Sequence, residues 1–221
     1  MPGSGRRALA DDMLPLVTEG DKAAILPDIA VCILAGGTSR RFGSEKAFAE
    51  LCGKQLLAHV IDNILPQTRG PVFINANNPA AYVNFGLPIL PDSEWVGAGP
   101  LSGIHVALQW AMGAARAQVV TLAVDQPFLP KSYIATLMQA RAPVIAKCGG
   151  RLHPINAIWS VTDLSALCAY LETGKRDVHG WAEILSADIV EFPVGDGDFD
   201  PFLNVNTQAD MTRAGQIMGQ P

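Results

Sequence analysis

The chain has 221 residues, 49% of them hydrophobic and 17% charged, which excludes disorder over most of its length and supplies one α/β domain with a sizeable core. Its 16 basic and 21 acidic residues leave a net charge of −5, against a general nucleic-acid binder, which needs a basic surface. No apolar run approaches the roughly 20 residues that cross a bilayer, so no membrane partner is expected.

Residues 1–28 include Arg6-Arg7 and several acids but lack the apolar centre and small-residue cleavage site of a secretory signal. They read as an N-terminal extension, loosely ordered at its start, before a domain spanning 29–221, and the expected compartment is the cytoplasm. The continuous apolar run 29–35, ending at Gly36-Gly37, reads as a strand buried on both faces. Leu56, Leu57, Val60, Ile61 and Ile64 fall at helical spacing before Pro66. Segment 71–75 reads as a strand, 101–112 as a helix, 118–124 as another buried strand, 131–141 as a helix and 142–146 as extended. Further on, 156–161 is a strand, Leu164, Leu167, Cys168 and Leu171 share one helical face, 188–192 is the last strand, and Met211, Ala214, Ile217 and Met218 mark a terminal helix. Alternating strands and helices predict a three-layer, Rossmann-like α/β fold with a mostly parallel central sheet. Cys32, Cys52, Cys148 and Cys168 form no CxxC pair and no Cys/His ligand spacing, which predicts free thiols.

Ligands of such sheets sit beyond the carboxyl ends of the central strands, so the informative residues are Gly36 to Lys46, Asn75, Asp92 and Asp125 to Pro130. Gly36-Gly37 lets the backbone turn sharply and aim N–H groups at an anion. Arg41 and Lys46 add a planar fork and a mobile point charge, both suited to phosphate. A polyphosphate is the expected guest, and a solvated surface turn the alternative. The spacing matches neither a P-loop nor a G-x-G-x-x-G fingerprint. Asp125 ends a buried strand too far upstream to cap a helix starting near Lys131, and its carboxylate suits Mg²⁺. Asn75 and Asp92 offer donors and acceptors for a purine edge or ribose hydroxyls, or else each makes an Asx turn. Gly97, Gly99 and Gly103 allow close backbone approach to a ligand, or simply start a helix.

Asn204 and Asn206, at i and i+2 of an extended piece, share one face and suit a grip on polar groups, with a turn-forming pair as the alternative. Thr207 is positioned as an N-cap. Asp196, Asp198 and Asp200 imitate half an EF-hand loop, but Pro201 and Thr207 occupy its required glycine and acid positions, so calcium is not expected. His59 and His105 read as packed or surface imidazoles, His179 as part of a solvated basic turn, and the Trp residues at 95, 110, 159 and 181 as core or cleft wall.

Segment 34–46, LAGGTSRRFGSEK, resembles the signature loop of the α/β nucleotidyltransferases, LAGG-x-S-x-RMG-x-DK. Within that superfamily it is most similar to the molybdenum cofactor guanylyltransferases of the MobA type. Further matches follow in order: Gly53-Lys54, Asn75-Ala76-Asn77, Pro91-Asp92-Ser93, Gly99-Pro100-Leu101-Ser102-Gly103, the Asp125 to Pro130 loop, His153-Pro154 and Asn204-Val205-Asn206-Thr207. Together they cover about 29–213. Phe42 stands where the family has Met, and Glu45 where it has Asp. Gln126-Pro127 replaces the usual Thr-Pro and resembles the related cytidylyltransferases, which however carry LAAG at the first loop. The first loop and the 204–207 motif favour guanine.

The resemblance implies transfer of GMP from GTP to the phosphate of (molybdenum-)molybdopterin, with release of pyrophosphate. The alternatives are a relative using CTP or a sugar phosphate, and a non-catalytic nucleotide-binding regulatory domain. It implies Arg41, Lys46 and Asp125 as catalytic residues. Nucleotide binding falls to Leu34, Ala35, Gly36, Gly37, Asn75, Asp92, Gly99, Pro100 and Leu101 together with Lys46 and Asp125. Asp125 would hold Mg²⁺, and His153, Asn204 and Asn206 would face the second substrate. A phosphate monoester is largely dianionic at neutral pH, so no general base is required. The implied partners are these two small molecules, with transient contact to molybdoenzymes or their chaperones, and neither nucleic acid nor membrane.

Overall fold

The computed structural model describes residues 26–36, 46–195 and 199–219. Gly37, Arg41, Phe42, Glu45, Asp196 and Asp198 lie outside the described residues, as does most of the 1–28 extension.

In chain order the elements are β1 (Ala30–Leu34), the short hairpin β2 (Glu50–Leu51) and β3 (Lys54–Gln55), α1 (Leu56–Ile64), β4 (Val72–Asn75), α2 (Pro79–Tyr82), β5 (Ile89–Leu90) and α3 (Pro100–Gly113). Then come β6 (Gln118–Ala123), α4 (Tyr133–Leu137), β7 (Val144–Cys148), β8 (Arg151–Ser160), α5 (Leu164–Glu172), α6 (Val178–Ile184), β9 (Asp188–Phe192) and α7 (Gln208–Gly219). Seven strands form one sheet in the order β5-β4-β1-β6-β8-β7-β9. All neighbours are parallel except β8, which runs antiparallel to both β6 and β7.

Why β1 is apolar at every position is plain from its surroundings. Val31 and Ile33 enter one core cluster with α1 and α4, while Ala30 and Cys32 enter another with α3, α5 and α6. Successive side chains of a strand point to opposite faces, so a strand covered on both sides needs no polar face. The crossover from β1 through α1 to β4 runs outward and the one from β5 through α3 to β6 runs back, so a right-handed path for both puts α1 on one face and α3 on the other. That produces the three layers. On the second face Trp159 and Trp181 are fully buried, ring centroids 4.4 Å apart, a contact worth about 0.5–1.5 kcal/mol beyond area burial.

From β1 the chain moves outward through β4 and β5, then returns past β1 to β6. The carboxyl ends of β1 and β6 therefore frame the crevice where the winding reverses. Because β8 is antiparallel, its first residues reach that same edge. Between the pairs Ile145↔Ala157 and Ala146↔His153 the register with β7 shifts, so Pro154, Ile155 and Asn156 bulge without a β7 counterpart. A third cluster, Leu51, Leu56, Val205, Met211 and Ala214, packs α7 and its preceding segment onto the β2–β3 hairpin. Thr207 caps α7: its Oγ1 accepts from Asp210 N at 3.1 Å, and Asp210 Oδ2 accepts from Thr207 N at 2.8 Å, a reciprocal capping box.

Several elements differ from their sequence expectation. β8 starts at Arg151 rather than 156, and α4 is confined to Tyr133–Leu137. The β2–β3 hairpin, α2, α6 and the two-residue β5 have no counterpart in the periodicity. Pro27 and Asp28 already join the domain, the first accepting from Arg69 N at 2.9 Å and the second ion-paired with Arg116. All four cysteines are free. No helix among the described residues is long and apolar enough to cross a membrane.

Candidate active site

Lys46 and Asp125, distant in sequence, meet at the crevice. The Lys46 ammonium donates to Asp125 Oδ2 and to Asn206 Oδ1. Each member is placed by a separate backbone device. Lys46 opens the 3₁₀ turn Lys46–Phe48. Asp125 follows β6, whose end is tied to β1 by Val124 N donating to Leu34 O at 3.2 Å. Val205 N donates to Asp125 O at 2.9 Å, holding segment 203–206 beside the loop. Val205 is fully buried while Asn204 and Asn206 line the cavity, the alternation of an extended piece. Desolvating two ions roughly offsets their attraction, so the pair positions charge more than it stabilises the fold. Burial raises the Asp210 carboxyl, but hydrogen bonds from Asn206 and Thr207 and the Lys46 charge outweigh it, leaving it below its ordinary value.

The cavity around this contact has a volume of about 690 Å³. Leu34, Ala35 and Gly36 line it at the end of β1, Asn75 and Asp92 beyond β4 and β5, and Gly99 and Pro100 at the start of α3. The open first turn of α3 turns its positive dipole end toward the cavity. His153, Asn204 and Asn206 line the opposite side. Leu101 is not on the wall; it is fully buried in the cluster on the α3 face.

At the β4–β5 end, Asn75 Nδ2 donates to Leu90 O and to Asp92 Oδ1, both at 3.0 Å. Asn77 Nδ2 donates to Asp92 Oδ2 at 2.9 Å and Asn77 Oδ1 accepts from Asp92 N at 2.8 Å. Asn75 and Asp92 therefore form one locked unit rather than separate Asx turns, and the carboxylate keeps lone pairs for a further donor. Gly103 makes a close approach, but to protein: a Cβ there would lie 2.3 Å from Asn75 Oδ1 and 2.6 Å from Leu34 Cδ2. Gly97 and Gly99, with φ of 86° and 64°, occupy the left-handed region, open to glycine without strain.

At the β6–β8 end, the His153 ring stacks on Phe202 with centroids 4.6 Å apart. Burial lowers its pKa below 6.5; Asp200, 4.0 Å away, opposes this and Arg151 reinforces it. The imidazole is thus neutral at pH 7. Gln126 is buried and donates Nε2 to Phe202 O at 3.3 Å. Among the other histidines, His59 contacts Leu51 O at 2.8 Å. His105 is buried beside Glu94 with its pKa lowered by burial, and His179 pairs with Glu183. None of these lines the cavity.

Residues 31–186 match the sequence profile of the MobA-like NTP transferase domain. The chain belongs to that family. Two molybdenum cofactor guanylyltransferases are similar to this MobA-like chain over most of their length. That of Rhodobacter capsulatus is 39% identical over 187 residues, 84% of this chain and 94% of its own. That of Acidiphilium cryptum is 36% identical over 184 residues, 82% and 91% respectively. The fold is shared with molybdopterin-guanine dinucleotide biosynthesis protein A of Archaeoglobus fulgidus, at a TM-score of 0.67 and 24% identity over 86% of this chain and 98% of that one. It is also shared with 4-diphosphocytidyl-2C-methyl-D-erythritol synthase of Anaerococcus prevotii, at 0.66 and 13% identity over 88% and 97%.

A nucleotidyltransferase of this kind generally uses a divalent metal. Among the described residues no three His, Cys, Asp or Glu side chains cluster as a metal cage. Of the two carboxylates that line the cavity among the described residues, Asp92 is held by Asn75 and Asn77 and Asp125 already holds a cation. That fits a metal which takes one or two carboxylates and completes its shell with phosphates and water. Asn77, Arg151 and Asn156 also line the MobA-like cavity without having been expected there, and Gln126 does so from within the expected Asp125 to Pro130 loop. Asn156 had a readable signal, a lone amide at the head of an otherwise apolar strand run.

Proposed function

We propose that this domain transfers GMP from GTP to the phosphate of molybdopterin in the cytoplasm, releasing pyrophosphate. The observation that carries the reading is the direct contact between Lys46 and Asp125 inside one cavity, with a locked Asn–Asp pair at one end and neutral polar groups at the other. The guanylyltransferase relatives support the choice of nucleotide.

In this mechanism an oxygen of the acceptor phosphate attacks the α-phosphorus of GTP as the bond to the β-phosphate breaks. A dianionic nucleophile needs no base, so the chain supplies alignment and charge neutralisation. Lys46 trades its contacts with Asp125 and Asn206 for phosphate oxygens, and Arg41 adds a second cation. The Gly36 backbone and the first turn of α3 offer N–H donors to the same group. Asp125 would hold Mg²⁺, which supplies further neutralisation of the triphosphate when bound. Asn75 and Asp92 face the guanine edge, whose N1–H and N2–H₂ donors suit a carboxylate acceptor. Gln126 is separated from Asn75 by β1, a distance of roughly 10 Å at normal strand spacing, and is turned toward Phe202. The Gln126-Pro127 pair therefore does not choose the base. His153, Asn204 and Asn206 attend the second substrate.

Incubation with labelled GTP, Mg²⁺ and molybdopterin tests this. The expected result is release of pyrophosphate and a guanine dinucleotide product, with CTP, UTP and sugar phosphates inactive. Preference for CTP, or nucleotide binding without pyrophosphate release, overturns it.

A further inference from the structure

The β8 bulge carries a side chain that nothing in the protein satisfies. Asn156 is 1% exposed and lines the cavity, yet neither its Nδ2 nor its Oδ1 has a hydrogen-bond partner. Burial keeps the neighbouring Tyr133 hydroxyl protonated, with its pKa raised and its proton donated to Thr121 O at 2.9 Å, and Asn156 acts on it only as the smaller, opposing influence. The strand continues as Ala157, Ile158 and Trp159, all buried and apolar, so a polar side chain at 156 is not what the core around it asks for. An orphaned buried amide costs about 1–3 kcal/mol, a cost recovered only when something enters to pair with it.

The same wall carries two more orphans. Gln126 spends its donor on Phe202 and leaves Oε1 without a partner, and His153 leaves Nε2 likewise. Asn156 thus offers a donor beside an acceptor, Gln126 an acceptor, and the neutral His153 ring one further site. Phosphate, which only accepts, would set its oxygens against the acceptors of Gln126 and Asn156. A flat heterocycle bearing adjacent amide-type donors and acceptors, as on a pterin ring, matches all of them. An Asn side chain reads such an edge with two parallel hydrogen bonds.

We propose that Asn156, flanked by Gln126 and His153, is a specificity-determining contact for the hydrogen-bonding edge of the acceptor's heterocycle. The inference rests on the reading that this cavity serves a pterin-bearing acceptor. It assigns the head of the acceptor to the β8 bulge, on the far side of Asp125 from Asn75.

The test compares Asn156→Leu and Asn156→Thr with the unaltered protein. Three quantities are measured: KM for molybdopterin, KM for GTP, and binding of 6-hydroxymethylpterin, a probe without phosphate. Asn156→Leu is expected to raise KM for molybdopterin and weaken pterin binding by about ten- to a hundredfold. KM for GTP and the melting temperature should stay unchanged or, for the latter, rise. Asn156→Thr, which keeps one hydroxyl, should fall between. An unchanged molybdopterin KM and pterin affinity in folded Asn156→Leu overturns the inference while the guanylyltransferase reading stands. Asn156-dependent pterin binding by a protein that transfers no GMP supports the subsite and rejects that reading instead.

Discussion

Lys46→Met separates the electrostatic role of this side chain from its packing. The substitution keeps the apolar stem, which is 8% exposed with the rest of the residue, and removes only the ammonium that Asp125 and Asn206 share. In the reaction that ammonium is a preorganised cation for the phosphates, and loss of one such group lowers the rate on the order of 10²–10³. That corresponds to about 2.7–4 kcal/mol of transition-state stabilisation. Stability should fall by less than the roughly 3–5 kcal/mol of a fully buried broken pair, because the Asp125 carboxylate, 16% accessible, opens onto the cavity. A loss of about 1–2 kcal/mol lowers the melting temperature by roughly 2–8 °C in a domain of this size. With the ammonium gone, Asp125 is free for a divalent cation. Mg²⁺ at ten times its dissociation constant would restore about 1.4 kcal/mol, a larger recovery than in the unaltered protein. Initial rates of pyrophosphate release, with thermal unfolding at several Mg²⁺ concentrations, read both effects. A variant within a few-fold of the normal rate, or one no more responsive to Mg²⁺, refutes the reasoning.

Asp125→Asn should abolish the Mg²⁺-dependent rise in melting temperature and reduce transfer by about 10³ or more, comparable to loss of a key electrostatic group; titration calorimetry with Mg²⁺ and GTP checks the binding half. Gly103→Ala drives a methyl into Asn75 Oδ1 and Leu34, so KM for GTP should rise about tenfold as the Asn75–Asp92 unit shifts, at a stability loss of roughly 1–3 kcal/mol; an unchanged KM removes Asn75 from nucleotide binding. Burial lowers the pKa of both His105 and His153 below 6.5. The unfolded chain therefore takes up these protons first, and the stability that rests on the neutral rings is complete above pH 6.5 and lost as pH falls below it. The urea midpoint should drop between pH 7.5 and 5, with a shallower drop in His153→Gln; an equal or higher midpoint at pH 5 contradicts the assignment.

What was legible depended on how each segment is buried. β1, α1 and β6 are covered so completely that their apolar pattern announces them, and the strand-end residues Asn75, Asp92 and Asp125 stand where a parallel sheet presents its ligands. β8 was half legible. Its interior run is apolar, but Arg151, His153 and Pro154 carry no strand pattern because the first half of the strand lines the cavity. α6 holds Gly180 within its short length and is declared mainly by the Asp177 cap, whose carboxylate accepts from Gly180 N. Gly103 reads from the sequence either as room for a ligand or as part of a helix start; it lies in the first turn of α3, and the residue it makes room for is Asn75. No spacing rule could show that Lys46 touches Asp125 and Asn206, since the contact exists only once β1, β6 and segment 203–206 are assembled. Asn156 is a polar residue beside apolar neighbours in the sequence, but its lack of a partner is a property of the packed bulge alone.

The most direct test of the account is a crystal structure of the protein with GTP and Mg²⁺. It should show the guanine edge on Asn75 and Asp92, the Lys46 ammonium on phosphate oxygens instead of on Asp125, and Mg²⁺ between Asp125 and the triphosphate. A base seated at Gln126 and Asn156, or a Lys46–Asp125 contact that persists beside the bound nucleotide, would contradict it.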